Sequence, residues 1–127
     1  MRALTDIEGA SSVIEKAFVT YSDKAKMDLL GVRQETLEKY GAVSSDVAGE
    51  MAMGLHKMKA GDICISCTGL AGPTGDGMHE IGTVFIGIMT SRLASPEVFE
   101  MHIPPTSRDV VREKTILRMM NIALNTV

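Results

Sequence analysis

The sequence predicts an α/β domain in which helices cover both faces of a β-sheet. Two nearly continuous apolar runs, at residues 62–68 and 83–90, have the composition of strands buried on both faces. Segments with helical periodicity precede and follow them, and strands interspersed with helices are typical of layered α/β folds. The 127 residues contain no internal repeat, charge block or low-complexity linker, so we expect a single domain.

The first third of the chain contains three short elements. Residues 17–21 are predicted to form a short strand, because their composition is apolar and aromatic. Asp23 is expected to cap a helix over residues 24–30, which Gly31 ends. A second short helix is expected over residues 33–40.

A longer helix is predicted before the first apolar run. Ser44 or Ser45 is expected to cap it, and it runs to about Lys59 before Gly61 ends it. Its apolar residues recur every three or four positions, as on one face of a helix. They are Val47, Met51, Leu55 and Met58.

The last third of the chain is predicted to form a strand and a helix. A strand fits residues 98–103, and Pro104-Pro105 then prevents further strand pairing. The spacing Thr106-x-x-Asp109 resembles a capping box that opens the last helix. One face of that helix is expected to be apolar through Ile116, Met119, Met120 and Ala123.

Composition argues against nucleic-acid and membrane-spanning proteins. The formal net charge is −3, from 13 Lys and Arg against 16 Asp and Glu, and the chain has no Trp, two Tyr and three Phe. It therefore lacks the basic field and aromatic platforms of a nucleic-acid binder. No apolar run reaches the roughly 18 to 20 residues that cross a bilayer, and the first six residues lack the apolar core of a secretory signal. We expect a cytoplasmic location.

Two cysteines form a C-x-x-C pattern at Cys64 and Cys67. On a strand, a spacing of three sends the two side chains to opposite faces, so we expect two reduced, packed thiols. A structural zinc site needs four ligands, and His56, His79 and His102 lie without ligand spacing. The sequence therefore predicts no metal site.

A glycine-rich loop from Gly69 to Gly82 joins the two apolar runs. Loops of this length are usually functional or disordered, and glycines allow backbone N–H groups to approach an anion closely. The loop is not a P-loop, because it lacks Gly-Lys-Ser/Thr and a strand rather than a helix follows it. An anion site and a flexible connection remain the two alternatives.

Arg108 and Arg112 stand four residues apart at the start of the last helix, hence on one face. Two guanidiniums beside a helix N-terminus suit a phosphate group. The alternative is a pair of salt bridges to Glu97, Glu100 or Glu113.

Tyr21 ends the predicted first strand, and Lys26 lies in the first turn of the next helix. The positive end of the helix dipole disfavours the ammonium form there, which lowers the pKa of the lysine. A lysine shifted toward neutrality can act as general base for a hydroxyl nucleophile, with the tyrosine orienting or relaying the proton. The alternative is a solvated surface lysine.

Five motifs occur along the chain in a fixed order. They are Thr20-Tyr-Ser-Asp-Lys-Ala-Lys26, Leu29-Leu-Gly-Val32, Tyr40-Gly-Ala-Val-Ser44, Thr68-Gly-Leu-Ala-Gly-Pro73 and Gly82-Thr-Val-Phe-Ile-Gly87. Together they closely resemble the C-terminal domain of competence/damage-inducible protein CinA, the nicotinamide-nucleotide amidase family, and the resemblance covers almost the whole chain.

The resemblance implies a three-layer α/β/α sandwich with a mixed β-sheet, assembled as a homodimer or higher oligomer. It implies hydrolysis of the carboxamide of nicotinamide mononucleotide to the acid and ammonia, without a metal or organic cofactor. Tyr21 and Lys26 would assist a nucleophilic serine. The nucleotide site would map onto Thr68, Gly69, Ala71, Gly72, Pro73, Gly82, Thr83, Arg108 and Arg112.

The family's nucleophile segment, Ser-Cys-Thr-Gly-Gly, is absent from its expected place upstream of Leu4-Thr-Asp6. The resemblance therefore implies that residues 1–127 are an N-terminally incomplete domain, without a leading helix and strand. Ser22 and Ser44 are the nearest serines, and both fit turn or capping positions better. Two alternatives follow: an amidohydrolase, or a catalytically silent nucleotide-binding or dimerisation module.

Overall fold

The computed structural model describes all 127 residues. Five α-helices and three β-strands make up the domain, with one 3₁₀ turn at Ala10–Ser12. In chain order the elements are α1 (Arg2–Thr5), α2 (Asp23–Leu30), α3 (Gln34–Tyr40), α4 (Ser45–Lys57), β1 (Ile63–Gly69), β2 (Thr83–Thr90), β3 (Glu97–His102) and α5 (Arg108–Thr126).

The sheet has the order β1-β2-β3, with both pairs antiparallel. Helix α4 packs on one face and α5 on the other, so the predicted α/β class with three layers is confirmed. The expected mixed sheet is wrong for these residues. Each strand is followed directly by its neighbour, without the helical crossover that a parallel pair requires.

The predicted strand over residues 17–21 is wrong, because this segment has no regular secondary structure. Strand propensity stabilises a segment only when a neighbouring strand supplies hydrogen bonds and side-chain contacts, and none pairs with it here. Val19 and Tyr21 are both 86% exposed, whereas Thr20 between them is buried.

Serine hydroxyls cap three helices, and two of the predicted caps were displaced by one residue. Ser44 caps α4 as expected, but Ser22 caps α2 instead of Asp23, and Ser107 caps α5 instead of Thr106. In each case the hydroxyl accepts a hydrogen bond from the backbone N–H three residues later. That N–H lies in the first turn of the helix and has no partner within the helix. These donors belong to Ala25, Val47 and Val110.

Of two helix ends predicted at glycines, one agrees with the structure and one differs. Gly31 ends α2 in a left-handed conformation, as predicted. Helix α4 ends at Lys57 rather than continuing to Gly61, and Lys59 adopts a positive φ of 54°. The chain therefore leaves this helix before the glycine is reached.

The core lies on both faces of β2, whose eight residues are all buried. Val84, Ile86 and Ile88 pack toward α5, while Phe85 and Met89 pack toward the α4 side. On α5 the predicted apolar face was rotated: Ile116 is 38% exposed, and the buried positions are instead Val111, Thr115 and Ile122. None of the helices combines the length and apolar character that crossing a bilayer requires.

Glu50 ties the short helix α3 to α4. Its carboxylate accepts hydrogen bonds from the backbone N–H and Nε of Arg33, at 3.1 and 2.8 Å, and from the hydroxyl of Thr36 at 2.8 Å. Burial alone would raise the pKa of Glu50, but these hydrogen bonds outweigh it, so the pKa of the carboxyl lies below its ordinary value.

Replacing Glu50 with Gln is expected to lower the free energy of unfolding by about 1 kcal/mol at neutral pH. Because the pKa of Glu50 is lowered in the folded state, the contribution is complete above its unfolded pKa and disappears as pH falls through the folded value. Urea unfolding at neutral and acid pH measures both effects. The exposed Glu35→Gln variant is the matched control, and equal losses in the two variants would contradict the assignment.

Candidate functional site

Lys26 is held inside the domain by the start of α2. Its side chain is buried, with the residue 7% exposed, and Nζ donates a hydrogen bond to the carbonyl oxygen of Thr20 at 2.7 Å. Burial lowers the pKa of Lys26, and the negative charge of Asp23 opposes this only partly. The alternative of a solvated surface lysine is therefore wrong. A lowered pKa is the property that a general base requires, and the catalytic role itself stays a prediction.

Tyr21 does not join Lys26 in the structure. It is 86% exposed, and its hydroxyl makes no hydrogen bond within the chain. A relay from Lys26 to Tyr21 is therefore not preformed in these residues.

Arg108 connects α5 to the glycine-rich loop. Its Nη1 donates a hydrogen bond to the carbonyl oxygen of Gly72 at 2.9 Å. Arg112 lies one turn later and is exposed. Neither arginine forms a salt bridge, so the alternative that carboxylates neutralise them is wrong. Both guanidiniums keep their charge available for an anion.

The glycine-rich loop is anchored at its two ends. Leu70 N–H donates to the carbonyl oxygen of Thr83 at 3.0 Å, and Gly82 N–H donates to that of Leu70 at 2.7 Å. The Gly82 carbonyl accepts in turn from the N–H of Ile103 at 2.9 Å. Together with the Arg108 contact, these bonds attach both ends of the loop to the rest of the domain.

Three of the predicted site glycines are required by packing. A Cβ on Gly82 would lie 2.1 Å from the carbonyl oxygen of Ile103, and the residue has a φ of +94°. A Cβ on Gly72 would lie 2.7 Å from Cγ2 of Ile81, again at a positive φ, and one on Gly69 would meet Val84 at 2.8 Å. These positions exclude a side chain whether or not an anion binds beside them.

The remaining loop residues of the predicted site are engaged within the protein. Thr68 donates its hydroxyl hydrogen to the carbonyl oxygen of Ala42 at 2.8 Å. Thr83 is 1% exposed, with its hydroxyl 3.3 Å from Nδ1 of His102. Ala71 packs against the core on the α5 side, and Pro73 follows a cis peptide bond.

The loop contains a polar pair that the sequence did not predict. Oδ2 of Asp76 lies 3.0 Å from Nδ1 of His79, and Oδ1 accepts hydrogen bonds from the backbone N–H groups of Met78 and His79, both at 2.8 Å. Hydrogen bonding from His79 lowers the pKa of Asp76 to about 2. The backbone N–H groups that Asp76 binds lie two and three residues after it in the sequence. This is the spacing at which an aspartate side chain accepts hydrogen bonds in a local turn.

No serine is placed to act with Lys26. Ser22 and Ser44 cap helices, as expected, and Ser66 is buried, with its hydroxyl donating to the carbonyl oxygen of Ala48 at 2.6 Å. The only hydrogen bond of the Lys26 ammonium group is to Thr20.

Both cysteines are free thiols. Cys64 is buried, as predicted for a packed thiol, whereas Cys67 is exposed, so the prediction that both thiols are packed is wrong for Cys67. His, Cys, Asp and Glu side chains nowhere gather in the groups of three or more that would hold a metal ion.

The predicted site residues form two separate groups. Arg108 and the ends of the loop meet at one end of the sheet, while Lys26 lies on α2. No hydrogen bond or salt bridge joins the two groups.

Comparison with known proteins agrees with the motifs. Residues 1–127 match the model of the CinA C-terminal domain family. A putative competence-damage inducible protein of Acetivibrio thermocellus is 43% identical over 121 residues, which are 94% of this chain and 28% of the relative. A protein of Enterobacter agglomerans named nicotinamide-nucleotide amidohydrolase PncC is 47% identical over 87 residues, or 68% of this chain and 53% of the relative.

Solved structures give the same assignment. A CinA superfamily protein from Escherichia coli superposes with a TM-score of 0.90 at 31% identity, covering 99% of this chain and 72% of the other. A competence/damage-inducible protein from Agrobacterium tumefaciens gives a TM-score of 0.88 at 38% identity, covering 98% and 76%. The chain spans between 21 and 53% of the length of the curated relatives described by these comparisons. The chain belongs to the CinA C-terminal domain family.

Proposed function

We propose that this domain binds a pyridine mononucleotide and takes part in hydrolysing its carboxamide to the acid and ammonia. The observation that carries the proposal is the buried Lys26, whose pKa is lowered, in the motif that the resemblance assigns to proton transfer. The relative named nicotinamide-nucleotide amidohydrolase supports the substrate class. We further propose a cytoplasmic homodimer or higher oligomer.

In the proposed reaction the two groups of residues have different roles, one in binding the phosphate and the other in proton transfer. Arg108 and Arg112 hold the phosphate beside the N-terminus of α5, where the helix dipole also favours an anion. Lys26, as a neutral amine, accepts the proton of a hydroxyl nucleophile while the hydroxyl oxygen attacks the carboxamide carbon. The lysine then returns the proton to the amide nitrogen as the C–N bond breaks and ammonia leaves, and water hydrolyses the resulting ester to the acid. Backbone N–H groups of the glycine-rich loop are candidates to stabilise the resulting oxyanion.

The nucleophile is proposed to lie outside residues 1–127. The Ser-Cys-Thr-Gly-Gly segment of the family does not occur in the sequence, and the serines near the motifs cap helices or are buried. On this proposal residues 1–127 are an N-terminally incomplete single domain that supplies the nucleotide site and the base.

A second candidate is a catalytically silent nucleotide-binding or dimerisation module. The observation that favours it is the absence of any serine hydroxyl bonded to Lys26. On that candidate, the chain binds nucleotide, and replacement of Lys26 leaves this binding unchanged. An amidohydrolase instead loses turnover when Lys26 is replaced.

Replacing Arg108 with Ala is expected to weaken binding of nicotinamide mononucleotide at least tenfold, because a charge-assisted contact to the phosphate and the tie to Gly72 are both lost. Isothermal titration calorimetry of the chain measures the dissociation constant. Arg118→Ala is the matched control: it removes the same charge from the same helix, where Arg118 lies over the ring of Phe99. No binding by the parent chain, or equal losses in both variants, would contradict the proposed phosphate site.

A further inference from the structure

Asp76 and His79 form a hydrogen-bonded pair that has no role in the reaction proposed above. One carboxylate oxygen of Asp76 is fixed by two backbone N–H groups, and the other lies 3.0 Å from Nδ1 of His79. Both side chains are about three-quarters buried, with 24% of His79 and 27% of Asp76 exposed. Asp76 as a whole residue is exposed, so the pair lies at the surface of the loop, and its hydrogen bonds come from within the loop.

The imidazole ring is also fixed from the side of the sheet. It packs edge-on against Phe85, with the ring centroids 5.8 Å apart and the planes at 78°. Phe85 is 6% exposed and belongs to the core cluster on the α4 face of the sheet, so the contact is with a rigid surface.

This arrangement leaves Nε2 of His79 without a partner in the chain. When ionised Asp76 accepts the Nδ1 hydrogen, the neutral ring keeps its lone pair on Nε2, which is then a hydrogen-bond acceptor. A partly buried acceptor without a partner is suited to a ligand that brings an N–H or O–H donor.

The loop that carries His79 reaches both faces of the sheet. Its first half is held at Gly72 by Arg108, from the helix on the α5 face, whereas His79 rests on Phe85 on the α4 face. The proposed function therefore requires a nucleotide whose phosphate binds at the arginines to extend around this end of the sheet to reach His79.

We propose that Nε2 of His79 accepts a hydrogen bond from the carboxamide amino group of the bound nucleotide and so distinguishes the amide from the acid. The inference rests on the proposed function. A carboxylate has no hydrogen to donate, and it places an oxygen lone pair opposite that of Nε2. His79 thereby favours binding of the amide substrate and release of the acid product.

The test compares the affinities of nicotinamide mononucleotide and nicotinic acid mononucleotide by calorimetry. All titrations use the full chain with Lys26→Met, so that the amide is not consumed. His79→Asn keeps a donor that Asp76 can hold but removes Nε2, whereas His79→Gln returns a polar group at the distance of Nε2. Asp76→Asn reverses the tautomer of His79. The new amide group donates a hydrogen bond to Nδ1, so the ring hydrogen of His79 moves to Nε2.

We expect His79→Asn and Asp76→Asn to weaken binding of the amide nucleotide roughly five- to tenfold, with the acid nucleotide unaffected or bound more tightly. His79→Gln is expected to recover part of the preference. Equal changes for both nucleotides, or a preference for the amide that persists in His79→Asn, would show that the pair only holds the loop and would overturn the inference. If the Lys26→Met chain and the parent chain bind neither nucleotide, the proposed function fails first and the inference fails with it.

Discussion

Replacing Lys26 with Met is expected to lower the rate of amide hydrolysis about 10²- to 10⁴-fold, the range typical for loss of a general base. Methionine keeps the length of the buried side chain but removes the amine that is proposed to accept the proton. Because the hydrogen bond to Thr20 is also lost, circular dichroism must show that the fold is retained.

The rate is measured as ammonia release from nicotinamide mononucleotide. The protein for this assay is the chain joined at its N-terminus to the Ser-Cys-Thr-Gly-Gly segment of a longer family member. Lys24→Met is the matched control, since Lys24 is exposed on the same helix and pairs only with Asp28. Turnover of Lys26→Met within threefold of the Lys24→Met rate would remove Lys26 from the mechanism.

Replacing Gly82 with Ala is expected to destabilise the domain by about 3 to 5 kcal/mol, from overpacking and from a strained positive φ together. The added Cβ would lie 2.1 Å from the carbonyl oxygen of Ile103, so the backbone must move. That movement would break the hydrogen bond from Ile103 N–H to Gly82, which joins the loop to the chain after β3. Thermal and urea unfolding measure the loss.

Gly77 provides the matched control in the same loop. It has a φ of +77°, close to that of Gly82, but a Cβ there meets nothing within 4 Å. Gly77→Ala is therefore expected to cost only about 1 to 2 kcal/mol, the cost of the left-handed backbone. Similar losses in the two variants would show that the contact with Ile103 does not contribute.

The sequence predicted most of the elements because their signals are local. Apolar runs located β1 and β2, and glycine and serine marked the ends of α2 and α4. The predictions were wrong where the structure of a segment depends on pairing with another part of the chain. Residues 17–21 have strand propensity but no neighbouring strand, and the mixed sheet would have required a parallel pair that these residues do not form.

Residues of the candidate site could be predicted from the sequence, but their arrangement in space could not. Lys26 was identified from its motif, yet its burial depends on packing that brings α2 against α4. The contact from Arg108 to Gly72 spans 36 positions of the chain, so spacing gives no sign of it. His79 was noted only as an isolated histidine, because its contact with Phe85 depends on how the loop folds back over the sheet.

We propose that residues 1–127 hold a pyridine-nucleotide site whose nucleophile lies elsewhere. The decisive experiment measures ammonia release from nicotinamide mononucleotide by the 127-residue chain, with and without the Ser-Cys-Thr-Gly-Gly segment joined to it. We expect turnover only when the segment is present, with nucleotide bound in both cases. Sustained turnover by the 127-residue chain alone, lost in Lys26→Met, would instead place the nucleophile within these residues.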